Sequence, residues 1–566
     1  MTVTNKTQTE MKNNILLHCL NTGADIAVAG GTTLAEVARL IEPQLGFKPI
    51  CCRVNNKTEG LSYAVYQSKS IEFQSCTQGS GPRVYARSLC MMLASAVAQH
   101  CPGCRLRIEH SISRGYYCLI SGMDQVSEEL LKNLSDSIHR MIEADIPFVQ
   151  HEALTEEVIA LFRREGMDEK VLLLESMPEL YTTYYTLGDY ADSYYGALAP
   201  STADVPVFAL HKYHNGFLLM PFDSADPTRA AQPIEQEKMY KAFTDYLRFN
   251  KIIGVSDVGQ LNEYVMHRPV ADLINVAEAL HEKSLAHISD MITERYHNGG
   301  ARIVLISGPS SSGKTTTTKR LSIQLMTNLL KPQMISLDDY FVDRCRTPRD
   351  ESGDYDYESL YALDIEQFNR DLTDILAGKE VALPTYNFET GERNYRGNTI
   401  RLEEGSILLI EGIHGLNPEL TAQIPEQMKF RVYVSALTTL SLDDHNWVPT
   451  TDNRLLRRIV RDYKYRGTSA VDTIRRWPSV RRGEEKWIFP YQENADAMFN
   501  SSLIFELGVI KERAEAILTN VHTNVPEYAE AYRLRKFLSY FRPIPSELIP
   551  STSLLREFLG GSSFKY

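Results

Sequence analysis

Ile303-Val-Leu-Ile-Ser-Gly308-Pro-Ser310-Ser311-Ser312-Gly313-Lys314-Thr315-Thr316 is the stretch whose reading decides the fold. Four apolar residues that suit a buried strand run straight into Gly-x-x-x-x-Gly-Lys-Thr, and a helical pattern follows over residues 316–330. Glycines at 308 and 313 let the backbone turn tightly, so that successive N–H groups point inward, and the start of a helix adds a partial positive charge. Such a loop, here Gly308, Ser310, Ser311, Ser312, Gly313, Lys314, Thr315 and Thr316, holds a triphosphate largely with fixed dipoles. Lys314 is expected to reach the β- and γ-phosphates and the Thr315 hydroxyl to coordinate magnesium, so ATP and Mg2+ are the expected cofactors.

Around this loop, short apolar runs at 303–306, 333–337, 407–410, 430–434 and 503–505 alternate with helix-length segments. That texture predicts an α/β domain over residues 301–510, a doubly wound parallel sheet with helices on both faces. Transfer of a phosphoryl group to a hydroxyl needs an acid beside the magnesium and a base for the departing proton. Ser336-Leu337-Asp338-Asp339-Tyr340 and Leu408-Leu409-Ile410-Glu411-Gly412 put candidates at the carboxyl ends of the second and third runs, where ligands gather in such sheets. A third element is a basic helix opened by Thr451-Asp452. Offsets of 0, 4 and 7 put Arg454, Arg458 and Arg461 on one stripe, suited to charge spread over a transferring phosphoryl group. A solvated face or a nucleic-acid patch is the alternative.

At 566 residues the chain is too long for one core. Hydrophobic residues at 43% and charged residues at 23% are ordinary globular proportions, and a net charge of -12 argues against nonspecific binding of nucleic acid or anionic membrane by the whole molecule. Eight of nine cysteines lie before residue 120 without regular spacing, which suits a reduced chain; Cys101 and Cys104 form a CxxC with no second half at zinc-site spacing. The polar N-terminus up to Asn14 and the lack of a long apolar run make a cytoplasmic location the expectation, with no membrane partner. The organisation expected is a small β-grasp α+β module (1–78), a second α+β region (79–271), a connector helix (272–300), the phosphate-loop domain (301–510) and a C-terminal helix and tail (511–566).

The residues quoted from 300 to 510 resemble the uridine kinase and phosphoribulokinase family, and within it the uridine-cytidine kinases. The resemblance implies that Asp338, not Asp339, is the general base, and that Asp338 and Glu411 join Thr315 at the metal. Lys314, Arg454, Arg458 and Arg461 then serve catalysis, the arginines from a lid helix ending in Arg466-Gly467. Gly353-Asp354-Tyr355-Asp356 looks like the segment whose aspartate grips the ribose, here Asp356. Leu383-Pro384-Thr385-Tyr386-Asn387-Phe388 and Arg393 resemble the base-binding hairpin, so Phe341, Asp356, Tyr386, Phe388, Arg393 and Arg466 are the implied acceptor contacts. The chain departs from the pattern at Gly391, which stands where those kinases carry a pyrimidine-reading histidine; without that buried polar reader, base identity is open. The N-terminal half resembles the TGS module and the second additional domain of threonyl-tRNA synthetases, but Arg87 and Met91 replace the two editing histidines, so no editing hydrolysis is expected. His211 and His214 read as turn residues.

A nucleoside as small-molecule acceptor is the leading expectation. Another polyol or a sugar phosphate is the second reading, kept open by Gly391. The third is a nucleotide-sensing, RNA-associated regulator, which the absence of a long basic run before residue 270 disfavours. A homo-oligomer is compatible with the sequence.

Overall fold

The computed structural model describes residues 14–351 and 353–565, so all but the last residue of the polar N-terminal stretch lies outside the described residues. Strands β1 (Asn14–Cys19), β2 (Ala24–Ala29), β3 (Cys51–Val54), β4 (Lys57–Glu59) and β5 (Lys69–Gln74) form one sheet in the order β2-β1-β5-β3-β4. Helix α1 (Leu34–Leu45) starts where it does because Thr33 caps it: its hydroxyl accepts from Glu36 N, and the Glu36 carboxylate accepts from Thr33 N at 2.8 Å. Leu17, Val37, Ile41, Val54 and Phe73 close a core within this unit.

The next region opens with α2 (Gly81–His100), buried along most of its length. It packs with β6 (Arg105–Ile112), β7 (Gly115–Ser121) and α3 (Glu128–Glu143). A three-stranded sheet of β8 (Phe148–Leu154), β9 (Tyr181–Leu187) and β10 (Tyr190–Asp192) flanks α4 (Thr155–Arg164) and α5 (Asp168–Glu175). Hairpin β11 (Ala209–Tyr213) and β12 (Gly216–Met220) completes a four-stranded sheet in the order β11-β12-β7-β6. Its turn carries His214 at φ 50, with the imidazole stacked on Tyr240 at 3.7 Å. Arg87 is buried and donates from Nε and Nη2 to Ala197 O at 3.2 and 2.8 Å; Met91 is fully buried beside it on α2. Helices α6 (Glu237–Ile253), α7 (Val258–His267) and the 30-residue α8 (Val270–Gly299) lead to the phosphate loop.

The last region has a five-stranded parallel sheet of β13 (Ile303–Ser307), β14 (Lys331–Ser336), β17 (Ser406–Glu411), β18 (Lys429–Ser435) and β21 (Ala497–Asn500), in the order β14-β17-β13-β18-β21. Strand β13 is fully buried, as its unbroken apolar run requires. The order puts β17 and β18 on opposite sides of β13, which opens a crevice at the carboxyl ends. Helices α9 (Lys314–Thr327) and α10 (Ile365–Leu376), the hairpin β15 (Val381–Asn387) and β16 (Glu392–Ile400), the short hairpin β19 (Ser441–Asp443) and β20 (Asn446–Trp447), and α11 (Thr450–Arg466) and α12 (Ala470–Trp487) surround it. The chain ends with α13 (Glu506–Thr519), α14 (Tyr528–Ser539) and the single turn α15 (Arg556–Leu559). The fifth strand is not where the apolar run at 503–505 places it. Leu503 and Phe505 are buried in a shared core just before α13, and the pairing falls to the 497–500 segment.

The boundaries drawn from sequence do not separate cores. One apolar cluster joins Leu173, Tyr195 and Leu273 to Leu456, Leu507 and Phe537; a second joins Ile112 and Phe243 to Leu416 and Tyr433. The division at 78/79, 271/272, 300/301 and 510/511 is therefore our proposal for sequence units, which share packing once folded. The nine cysteines are all free, and no described helix is long and apolar enough to cross a membrane.

Three histidines buried in these cores contribute to the acid response. Burial pushes His110, His281 and His414 each down to about 3. His110 lies against Phe243 at 3.5 Å with neither ring nitrogen bonded. In the unfolded chain such groups titrate near ~6.5, so the stability these histidines contribute is complete above that pH and falls between ~6.5 and ~3, by about 1.4 kcal/mol per pH unit for each histidine. Thermal unfolding at stepped pH should show that slope, and His110→Phe, which keeps the stack, should make it shallower.

Candidate active site

The phosphate loop lies between β13 and α9. Gly308 passes so near β18 that a Cβ there would sit 1.9 Å from Val434 O, and Gly313 has φ 84. Both positions therefore demand glycine. The first-turn amides of α9 have no acceptor within the helix, and no side chain caps them. Lys314 curls over the loop with Nζ donating to Pro309 O at 3.2 Å. Burial lowers its ammonium below the ordinary lysine range, against Glu411 and Asp338, which raise it.

The two acidic strand ends converge on this loop. Thr315 Oγ1 donates to Glu411 Oε1 and Oε2 at 3.0 and 3.2 Å, which fixes the hydroxyl and the carboxylate as neighbours across β13 and β17. Burial pushes Glu411 up to about 7, with Lys314 opposing and Asp338 adding to the rise. Asp338 opens on the cleft, yet the protein packed around it raises its carboxyl, against Lys314, Arg466 and Arg461. Its neighbour Asp339 turns the other way: Oδ1 accepts from Tyr386 N at 3.3 Å and ties the strand end to the hairpin. No group of three or more His, Cys, Asp or Glu side chains among the described residues forms a protein-only metal cage. A hydroxyl with one or two carboxylates does fit Mg2+, which keeps waters and phosphate oxygens as its other ligands.

The arginine helix α11 does not present one face to the cleft. Arg454 is 1% exposed, paired with Glu484 through both terminal nitrogens and donating to Ser310 O at 3.1 Å. Arg457, also buried, donates to Ser501 O at 2.8 Å and to Glu506 Oε2 at 2.6 Å. Arg458 reaches the loop, with Nη1 donating to Ser310 Oγ at 3.0 Å and Nε to Asp462 Oδ2 at 3.2 Å. Arg461 pairs with Glu557 at 3.3 Å, and Arg466 with Asp462 at 3.2 Å. Arg454 thus braces the loop from inside, while Arg458, Arg461 and Arg466 stand nearer the cleft.

At the β15–β16 hairpin, Phe341, Tyr386 and Phe388 form a cluster with centroid spacings of 5.5, 5.8 and 5.0 Å; Tyr386 is buried and Phe388 is exposed. Arg393 is held by Asp364 at 2.9 Å, and Asp356 Oδ1 accepts from Glu358 N at 3.2 Å. Gly391 has φ 76, and a Cβ there would lie 2.7 Å from Arg344. The Arg344 guanidinium, which donates to Phe388 O, fills the space a histidine would need.

Three functional positions escape sequence reading. Glu484 on α12 accepts from Ser310 N at 3.1 Å and binds Arg454 and Arg481; although burial raises it, those arginines hold it below the usual carboxylate range. Glu358 has a buried oxygen without a partner, and burial pushes it up to about 7, with Glu484 adding to the rise. Glu557, in the tail, accepts from Thr316 Oγ1 at 2.7 Å and pairs with Arg461, while Leu554 lies under Gly313. None sits in a motif, and Glu557 is 241 residues from Thr316.

Residues 303–504 match the family model for the Phosphoribulokinase / Uridine kinase family. A Staphylococcus aureus uridine kinase is 29% identical over 195 residues, 34% of this chain and 84% of that protein. The N-terminal region is similar to threonine–tRNA ligases; that of Desulforamulus reducens is 29% identical over 184 residues, 32% of this chain. The chain spans 29% of the length of that ligase. A solved structure described as a possible uridine kinase from Bacillus stearothermophilus is 22% identical, covers 35% of this chain and 88% of its own, and has a TM-score of 0.24, too low to carry an argument. The chain thus carries, over residues 303–504, the match to the phosphoribulokinase/uridine kinase family, behind an N-terminal region similar to threonine–tRNA ligases.

Proposed function

We propose that the chain transfers the γ-phosphoryl group of ATP to a hydroxyl of a small acceptor, and that this acceptor is a nucleoside phosphorylated at its 5'-hydroxyl. The observation that carries the reading is the convergence of Lys314, the Thr315–Glu411 pair and Asp338 at the mouth of one phosphate loop. Asp338 takes the proton of the acceptor hydroxyl; the oxygen attacks the γ-phosphorus, the bond to the bridging oxygen breaks, and ADP departs. Thr315, Glu411 and Asp338 would hold Mg2+, which offsets charge between the β- and γ-phosphates. Lys314, Arg458 and Arg461 compensate the charge on the transferred group, and Arg454 keeps the loop in shape. Asp356 grips the ribose, Phe341, Tyr386 and Phe388 flank the base, and Arg393 and Arg466 border the acceptor. A cytoplasmic location is part of the proposal.

Arg344 favours one alternative. Its guanidinium at the hairpin turn, where a pyrimidine reader is missing, suits an acceptor that already carries an anionic group, such as a sugar phosphate. Acceptor-dependent ADP release from the full-length chain, measured across nucleosides, pentoses, hexoses and their phosphates, tests both. The expected result is the highest kcat/KM with a nucleoside. Turnover of sugar phosphates alone transfers the assignment to the second reading, and no turnover with any alcohol overturns both.

A further inference from the structure

A cavity of about 540 Å3 lies between α5, β9, the β19–β20 hairpin and α14, and shares no residue with the phosphate loop or its acids. Its floor is an ion network closed on itself. Lys170 Nζ sits 2.9 Å from Asp192 Oδ1 and 2.9 Å from Asp443 Oδ1, and donates to Ser193 O at 3.3 Å, so its three protons are used. His445 Nδ1 lies 2.8 Å from Asp192 Oδ2.

The wall on α14 is different. Arg535 and Lys536 are both half-buried, and neither side chain makes a hydrogen bond or ion pair among the described residues. The carboxylates close by are committed or exposed: Asp192 and Asp443 to Lys170, Glu515 to Lys511 at 2.7 Å, Glu59, whose charge reaches Lys536, to Lys57 at 2.7 Å, and Glu179 on the surface. Two half-buried cations without a counter-ion are an unsatisfied arrangement that an anion would complete. Tyr532, whose ring carries Lys57 Nζ 4.9 Å from its centroid, and Tyr540 line the same wall, and the volume falls within the ~300–1,000 Å3 of small-molecule sites.

We propose that this cavity is a second ligand site, which takes a phosphorylated small molecule of nucleotide size with its phosphate on Arg535 and Lys536 and its ring against the tyrosines. The site is wired to the phosphate loop. Arg533, on the same helix, holds Asp452 of α11 with bonds of 2.6 and 2.8 Å, and the β19–β20 hairpin runs directly into α11, which carries Arg458 and Arg461. A ligand here therefore acts on the helix whose Arg458 touches the phosphate loop at Ser310.

The test is calorimetric titration of the full-length Lys314→Ala chain, whose phosphate loop is weakened, with AMP, CMP, GMP, UMP and inorganic phosphate. At least one nucleotide should bind saturably, at least about tenfold tighter than phosphate, and Arg535→Ala/Lys536→Ala in that background should weaken it by at least about tenfold at an unchanged melting temperature. Arg535→Gln/Lys536→Gln, closer in shape, guards against a folding artefact. No saturable binding of any probe, binding that both double variants retain, or phosphate binding as tight as the nucleotide would each overturn the proposal.

Discussion

Asp338→Asn should lower kcat by about 10^2- to 10^4-fold, the range that a positioned general base supplies, while leaving the affinity for magnesium nucleotide near that of the parent chain. Among the described residues the side chain makes no hydrogen bond of its own; it faces the cleft beside Lys314, with Arg466 and Arg461 close enough to lower its pKa. Asparagine keeps the shape but cannot accept a proton. If the base is what is lost, kcat and kcat/KM fall together, because the interaction exists only in the transition state. If Asp338 chiefly ligates metal, nucleotide affinity falls and added magnesium restores turnover. Asp339→Asn should spare chemistry, since that carboxylate faces the hairpin amide of Tyr386. Parent-level turnover in Asp338→Asn would remove Asp338 as base.

Arg457→Ala should destabilise the fold by about 3 to 5 kcal/mol, because it strands the Glu506 carboxylate in a buried site. Arg457 is 0% exposed, and its bonds to Ser501 O and Glu506 hold the start of α13 against α11. That loss is a large share of the ~5–15 kcal/mol that stabilises a typical domain. Adding Glu506→Ala should recover part of it, since the pair then disappears together. Arg458→Ala makes the contrast. It stands one residue on, touches Ser310 Oγ, and should cost about 10^2- to 10^3-fold in kcat with a stability change within ~1 kcal/mol. Denaturant unfolding and steady-state kinetics on both variants separate the roles; equal effects on stability and turnover from the two would remove the distinction.

The contrast also shows where sequence reading stops. Periodicity puts Arg454, Arg458 and Arg461 on one stripe of α11, and they do share it. It says nothing of what packs there. Glu484 from α12 claims Arg454, the loop serine Ser310 takes Arg458, and Glu557 from the tail takes Arg461. The run at 503–505 failed as a strand for a related reason: burial alone does not distinguish a sheet edge from a helix seat, and these residues fill the core before α13. Gly391 is a local fact with a distant cause, because the space beside it belongs to Arg344.

The phosphate loop was legible from fourteen consecutive residues because its function is carried by backbone geometry, and the glycines that geometry needs are local. The parallel sheet was legible for the same kind of reason: strands buried on both faces must be continuously apolar. Only the tertiary structure decided which charges meet. The partners that hold the loop, Glu484, Glu506 and Glu557, come from segments 30 to 241 residues away from the groups they bind, and no short-range pattern encodes such a distance. The same holds for the cavity above Lys170, whose walls come from both halves of the chain and exist only once they pack together.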